Sequence, residues 1–142
     1  MAVLLDVYSR KVVGWSLSHR MEVGLVKGAL KMAMGRRHPQ PGLIHHTDRG
    51  SQYAAHTYRD LLRDNALVCS MSGKGDCVDH AVAERFFGSV KRERTSYQHY
   101  ETRQEARDDV IDYIEMFYNS TRKHSYLGYM SPNEYENIPR AA

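Results

Sequence analysis

The chain has 142 residues, 42% hydrophobic and 26% charged, enough for one domain with a real core and ordinary for a soluble globular protein. Its formal net charge of +3 permits nucleic-acid binding without requiring it, so the placement of the charges matters more than their sum. No run is long and apolar enough to span a membrane, Asp6 interrupts the opening apolar residues so that nothing resembles a signal peptide, and two cysteines without a Cys-x-x-Cys pair argue against a zinc cluster and for a reducing compartment.

Val3 to Val7 and Val12 to Leu17 are apolar or β-branched runs around Ser9-Arg10-Lys11 and predict an antiparallel hairpin, with Trp15 in or beside the core. Met21 to Arg37 carries Val23, Val26, Ala29, Leu30 and Ala33 at helical spacing; Gly35, Arg36, Arg37, Pro39 and Pro41 close it, and Met32 and Met34 fill gaps. Leu43 to His46 reads as a short buried strand that stops at Thr47-Asp48, after which Arg49-Gly50-Ser51 turns the chain toward a helix. An acidic residue there sits at the rim of a sheet, where open α/β sheets bind ligands. It is equally a common turn former or helix cap, and this stretch alone leaves both readings open. Ala54 to Asn65 predicts a second helix with Tyr58, Leu61 and Leu62 inward, and Leu67 to Met71 a short strand in which Cys69 is a small core residue. Ser72-Gly-Lys-Gly-Asp76 is a glycine-rich loop without a nucleotide-binding fingerprint; a mobile loop beside a site and a plain connection both fit it.

Val78 to Glu93 predicts an amphipathic helix with Ala83, Phe86, Phe87 and Val90 on its apolar side. Glu84 and Lys91 stand two helical turns apart on one face, about 10.5 Å along the axis. Thr102-Arg-Gln-Glu105 has capping-box form and starts a helix whose inner face is Ala106, Val110, Ile114 and Phe117, with Ile111 and Tyr118 flanking; Asp108, Asp109, Asp112 and Glu115 lie mainly on the other, solvated side. Ser131-Pro-Asn-Glu134 has capping-box form too, with Pro132 at the first helical position. Arg122, Lys123 and His124 form a basic cluster among Tyr118, Tyr126 and Tyr129. That composition suits phosphates and unstacked bases, and it equally suits tyrosines that pack the tail onto the domain.

Taken together, His45-His-Thr-Asp-Arg-Gly-Ser-Gln-Tyr53 and Asp79-His-Ala-Val-Ala-Glu-Arg-Phe-Phe-Gly-Ser-Val-Lys-Arg-Glu93, with 35 residues between Asp48 and Glu84, resemble the transposases of the IS3 group of insertion sequences, within the retroviral-integrase-like superfamily. Tyr118-Asn119, Arg122, His124-Ser125, Leu127-Gly128 and Ser131-Pro132 match that group's C-terminal signature, so the resemblance covers essentially the whole chain. It implies an α/β fold of the ribonuclease-H-like kind, a mixed sheet flanked by helices, and an Asp–Asp–Glu site holding Mg²⁺ or Mn²⁺ for polynucleotidyl transfer on DNA. Hard oxygen ligands suit such ions, and two metals can activate the attacking oxygen and stabilise the leaving one. On the matching positions, Asp48 and Glu84 are the second and third catalytic and metal-binding acids. Lys91 is the basic residue that contacts DNA, and Lys74, Arg92, Arg122 and His124 join it as DNA-binding residues. His80 stands where the group usually has Asn, and His45 and His46 read as strand residues because Mg²⁺ favours oxygen.

The group's first aspartate lies on a strand upstream of the segment in which this chain begins; Asp6 matches a different position, on the second strand, and is not read as its replacement. The expected organisation is a catalytic core at 1–100 lacking its first strand, with a C-terminal helix and basic, aromatic tail at 101–142 packed on or beside it. The expected function is that of a transposase core fragment acting on insertion-element ends and target DNA in the bacterial cytoplasm, inactive alone for want of the first aspartate. The alternative is a non-catalytic DNA-binding or assembly fragment of a decayed transposase. The missing strand would pair with Val3–Val7 on one side and Leu43–His46 on the other, and open apolar edges there predict self-association or low stability.

Overall fold

The computed structural model describes residues 1–71 and 81–139. The chain divides into two compact units, one of Met1–Leu4 and Val13–Ala81, the other of Leu5–Val12 and Val82–Ala142. The helix carrying Glu84 groups with the C-terminal segment, and so does the tip of the first hairpin.

The first unit holds most of β1 (Ala2–Leu5) and of β2 (Val12–Ser16), then α1 (Val23–Arg37), β3 (Ile44–Thr47), α2 (Ser51–Ala54), α3 (His56–Asp64) and β4 (Val68–Met71). The single predicted helix at 54–65 is two, because Ala55 takes extended backbone (φ −59°, ψ 135°) between them. The core gathers Ala2, Leu25, Val26, Ala29, Leu30, Tyr58, Leu62 and Leu67. Gly14 lets β2 lie directly on α1: a Cβ there would stand 2.2 Å from the Ala29 carbonyl oxygen. One mixed sheet is the sequence expectation; among the described residues there are instead two two-stranded sheets, β1–β2 and a parallel β3–β4 pair with Ile44 opposite Val68 and Thr47 opposite Met71. The β3–β4 sheet is poorly covered, so Ile44 and Val68 are 66% and 50% exposed, and Cys69, expected in the core, is exposed as well.

The second unit contains α4 (Ala81–Glu93), α5 (Arg103–Asp112), a π-helical segment (Tyr113–Tyr118), α6 (Pro132–Glu136) and the hairpin tip. Asp6 shapes that tip, its Oδ1 accepting from the Tyr8 and Ser9 amides at 2.9 and 3.3 Å. Ser9 Oγ and Lys11 Nζ then donate to Glu136 of α6 at 2.8 and 2.9 Å. Asn119 is buried, and its side-chain amide satisfies both backbone groups of Val12, accepting from the N–H at 2.9 Å and donating to the carbonyl at 3.0 Å.

α5 starts as predicted at Thr102, whose Oγ1 accepts from the Glu105 amide, but Glu105 reaches back one residue further, to the Glu101 amide. Its acidic side is not merely solvated. Asp109 accepts from Arg94 Nε at 2.7 Å and from Tyr100 at 2.6 Å, and Asp112 pairs with the same guanidinium. The π-helical segment corrects the predicted inner face. One extra residue per turn rotates the side chains beyond it, so Tyr113, Ile114, Tyr118 and Asn119 are buried while Phe117, expected inside, is 37% exposed. The capping box at Ser131–Glu134 forms in full, with Pro132 at the first helical position.

Candidate functional site

In the first unit, Asp48 follows the last residue of β3 and is exposed. Its Oδ1 accepts from the Gly50 amide at 2.7 Å, closing the turn into α2. A Cβ at 50 would stand 2.8 Å from that oxygen, so the Asp48 side chain would have to shift to admit one. The turn-forming and rim readings of Asp48 therefore coexist: Oδ1 shapes the loop, and Oδ2 has no hydrogen-bond partner among the described residues. Burial first, then the negative charge of Asp48, raises the pKa of Tyr53. The histidines before it are occupied. His45 shares a 2.7 Å hydrogen bond with Tyr58, and burial, with His46 nearby, lowers its pKa to about 4; His46 Nδ1 bonds Ser70 Oγ at 2.9 Å.

In the second unit, α4 buries Phe86, Ser89 and Val90, and this stripe sets its rotation. Glu84 lies exposed in its first turn with no hydrogen bond or ion pair among the described residues, while Lys91 and Arg92 lie exposed in its last turn. Lys74 and His80 lie outside the described residues. Asp48 and Glu84, each within its own unit, present hard, solvent-facing carboxylate oxygens, the donor type that suits Mg²⁺ or Mn²⁺. Among the described residues no three His, Cys, Asp or Glu side chains gather into a metal-binding group.

Arg122 and His124 have a different setting from the one composition suggested. Arg122 forks onto Glu93 of α4, Nε at 2.8 Å from Oε2 and Nη2 at 2.7 Å from Oε1, and Nη2 also reaches Ser89 Oγ at 3.2 Å. Tyr113 donates to Glu93 Oε2 at 2.6 Å. The hydrogen bond from Arg122 is the chief cause holding the Glu93 carboxyl below its usual range. His124 stacks edge-on against Tyr118, and burial, reinforced by the Arg122 charge, lowers its pKa to about 4, so it is neutral at pH 7. Lys123 is paired with Glu134. Sequence reasoning assigned no role to Glu93, Tyr113 or Asn119; a Ser89/Glu93 pair one turn apart was the available signal, but its partner lies 29 residues further on. Of the three tyrosines in that region, Tyr118 packs inside while Tyr126 and Tyr129 stand 65% and 72% exposed.

A sequence model described as Integrase core domain matches residues 1–77, and a second of the same description matches 84–138. The chain belongs to the integrase core domain family, which implies the ribonuclease-H-like class of α/β fold. It is 48% identical to the transposase for insertion sequence element IS904 of Lactococcus lactis subsp. lactis (strain IL1403), over 96% of this chain and 54% of that protein. It is 44% identical to transposase InsF for insertion sequence IS3A of Escherichia coli (strain K12), over 96% of this chain and 48% of that protein. It is also 44% identical to an uncharacterized 31 kDa protein of insertion element IS600 from Shigella sonnei, over 93% of this chain and 48% of that one. The chain thus spans about half the length of the curated relatives it matches. No helix among the described residues is long and apolar enough to cross a membrane.

Proposed function

We propose that this chain is the part of an insertion-sequence transposase that acts on DNA in strand transfer, with Asp48 and Glu84 as carboxylate ligands of a divalent cation and Lys91 and Arg92 as phosphate contacts. The observation that carries this is the state of the two acids. Both are exposed, Glu84 on a helix that packs through Phe86, Ser89 and Val90, Glu84 bonds nothing among the described residues, and Asp48 commits one oxygen only. Bound Mg²⁺ or Mn²⁺ supplies Lewis-acid stabilisation of charge on a transferring phosphoryl group. The chain's own residues do the rest. The Asp48 turn holds Oδ2 toward solvent, the Phe86–Val90 stripe fixes the face of α4 that presents Glu84, and Lys91 and Arg92 add positive charge at the far end of that helix. Element ends and target DNA are the substrates of this reading, Lys74 joins the basic residues, and a second copy is the expected partner.

Mn²⁺ titration followed by electron paramagnetic resonance, with duplex DNA present, tests it. Weak binding is expected without DNA, because these ions keep several waters when protein ligands are few. Asp48→Asn and Glu84→Gln are each expected to reduce bound Mn²⁺. Binding unchanged in the double variant refutes the assignment. Salt-sensitive DNA binding indifferent to metal and to both acids would instead favour a non-catalytic DNA-binding role.

A further inference from the structure

The second unit carries a small loop whose construction is not accounted for by packing. Residues His124 to Met130 close on themselves: the His124 amide donates to the Met130 carbonyl at 3.0 Å, and the Tyr129 and Leu127 amides donate to the His124 carbonyl at 2.9 and 3.0 Å. Leu127, 1% exposed, anchors the loop inward. Tyr126 and Tyr129 point the other way, 65% and 72% exposed. Tyr129 holds φ at 61°, directly after Gly128 at 65°, and Arg10 of the hairpin tip holds φ at 61° while placing its guanidinium 3.9 Å from the centre of the Tyr126 ring. A left-handed backbone is costly for any residue with a Cβ, and such conformations persist where the surroundings impose them and cluster at functional sites. Two non-glycine residues adopt it here, and one of them presents a large aromatic side chain to water.

We infer that Tyr126 and Tyr129, with Arg10 stacked on the first, form a platform for unpaired bases of a DNA strand. This rests on the reading of the chain as a DNA-acting transposase segment and adds a base-binding surface to the phosphate contacts of α4. The chemistry selects the ligand. Every base has a π-face, so stacking on tyrosine is tolerant of sequence, and a guanidinium adds cation–π attraction and a phosphate donor. Base faces inside an intact duplex are already stacked, so the surface favours single-stranded ends over blunt duplex. Lys123 contributes little, since Glu134 holds it, and His124 is neutral at pH 7.

The test is fluorescence anisotropy on the purified chain with a labelled single-stranded oligonucleotide and a blunt duplex of equal length at fixed salt. Tyr126→Ala and Tyr129→Ala are each expected to weaken single-strand binding roughly five- to a hundredfold, the range of one lost base stack, with duplex binding changed less than twofold. Tyr126→Phe and Tyr129→Phe are expected to retain most single-strand affinity, because the ring and not the hydroxyl is used. Tyr129→Gly relieves the backbone, so it is expected to keep or raise the urea midpoint while losing single-strand affinity. Equal losses on both DNAs, Phe variants as weak as Ala variants, or alanine variants with unchanged single-strand binding each overturn the platform. So does a fall in molecular mass by light scattering in the alanine variants with DNA binding intact, which would make the rings a surface for self-association. If the unaltered chain binds neither DNA, the transposase reading fails together with it; if it binds duplex and the tyrosine variants have no effect, the platform alone fails.

Discussion

Replacing Arg122 with alanine separates a structural clamp from a DNA contact. The Arg122–Glu93 pair has side chains 22% and 30% exposed, so it lies between an open surface pair and a buried one. Exposed pairs contribute roughly 0.2–1 kcal/mol and breaking a buried one costs roughly 3–5 kcal/mol; with solvent screening discounted, about 2 kcal/mol is expected. The buried Ser89 hydroxyl also loses a partner. For a chain of this size that corresponds to a fall in Tm of about 4–8 °C. In the Glu93→Gln background most of this cost should vanish, because the two residues share one interaction. Arg122→Lys should recover little, since an ammonium lacks the guanidinium fork. The pH dependence has a definite sign. Glu93 has its carboxyl pKa lowered in the folded chain, so its contribution is complete above the ordinary glutamate range and is lost as pH falls through the depressed value. The Tm difference between the parent and Arg122→Ala should therefore hold at pH 6–8 and shrink in acid. Thermal unfolding by circular dichroism measures all of this. Additive effects of Arg122→Ala and Glu93→Gln would refute the clamp. So would a loss of a full phosphate contact from the salt slope of DNA binding at unchanged Tm.

Lys91→Ala is expected to do the opposite, leaving the urea midpoint unchanged while lowering the salt slope of duplex binding by about one contact. Asn119→Leu strands the buried N–H and carbonyl of Val12, each worth roughly 1–3 kcal/mol when unsatisfied, so a urea melt should show a loss of about 3 kcal/mol. His45 and His124, both lowered to about 4, stay neutral in the folded chain while their unfolded counterparts protonate below about 6.5. Stability should therefore fall as pH drops from about 6.5 to about 4, and His124→Gln, which removes one such proton, should flatten that slope in urea midpoints taken across the range. With Ile44 and Val68 exposed on a two-stranded sheet and Leu43 exposed just before it, light scattering at micromolar concentration is expected to show species larger than one chain, and a strict monomer would contradict this.

What the sequence by itself determined lies within a turn or two of each residue. The Ser131–Glu134 capping box, the apolar stripe of α1, and the placing of Glu84 and Lys91 on one face of α4 depend on covalent geometry and helical period. The family motif that singles out Asp48 and Glu84 is local in the same sense, since each half is a short run of residues. Only the tertiary structure decided the rest. Arg122 reads as a cation with no announced partner until Glu93 is found beside it, and Asn119 as a polar loop residue until its amide meets Val12, 107 residues away. Ser9 and Glu136 are separated by 127 residues, and nothing near either one announces the other. Within residues 113–119 Ile114 is buried as the helical period predicts, but Phe117 is 37% exposed, because a π-helical turn changed the period that the prediction assumed. A charge or an amide is bound by whatever the closed chain brings within hydrogen-bonding distance. That depends on how every intervening element packs, which no local pattern contains.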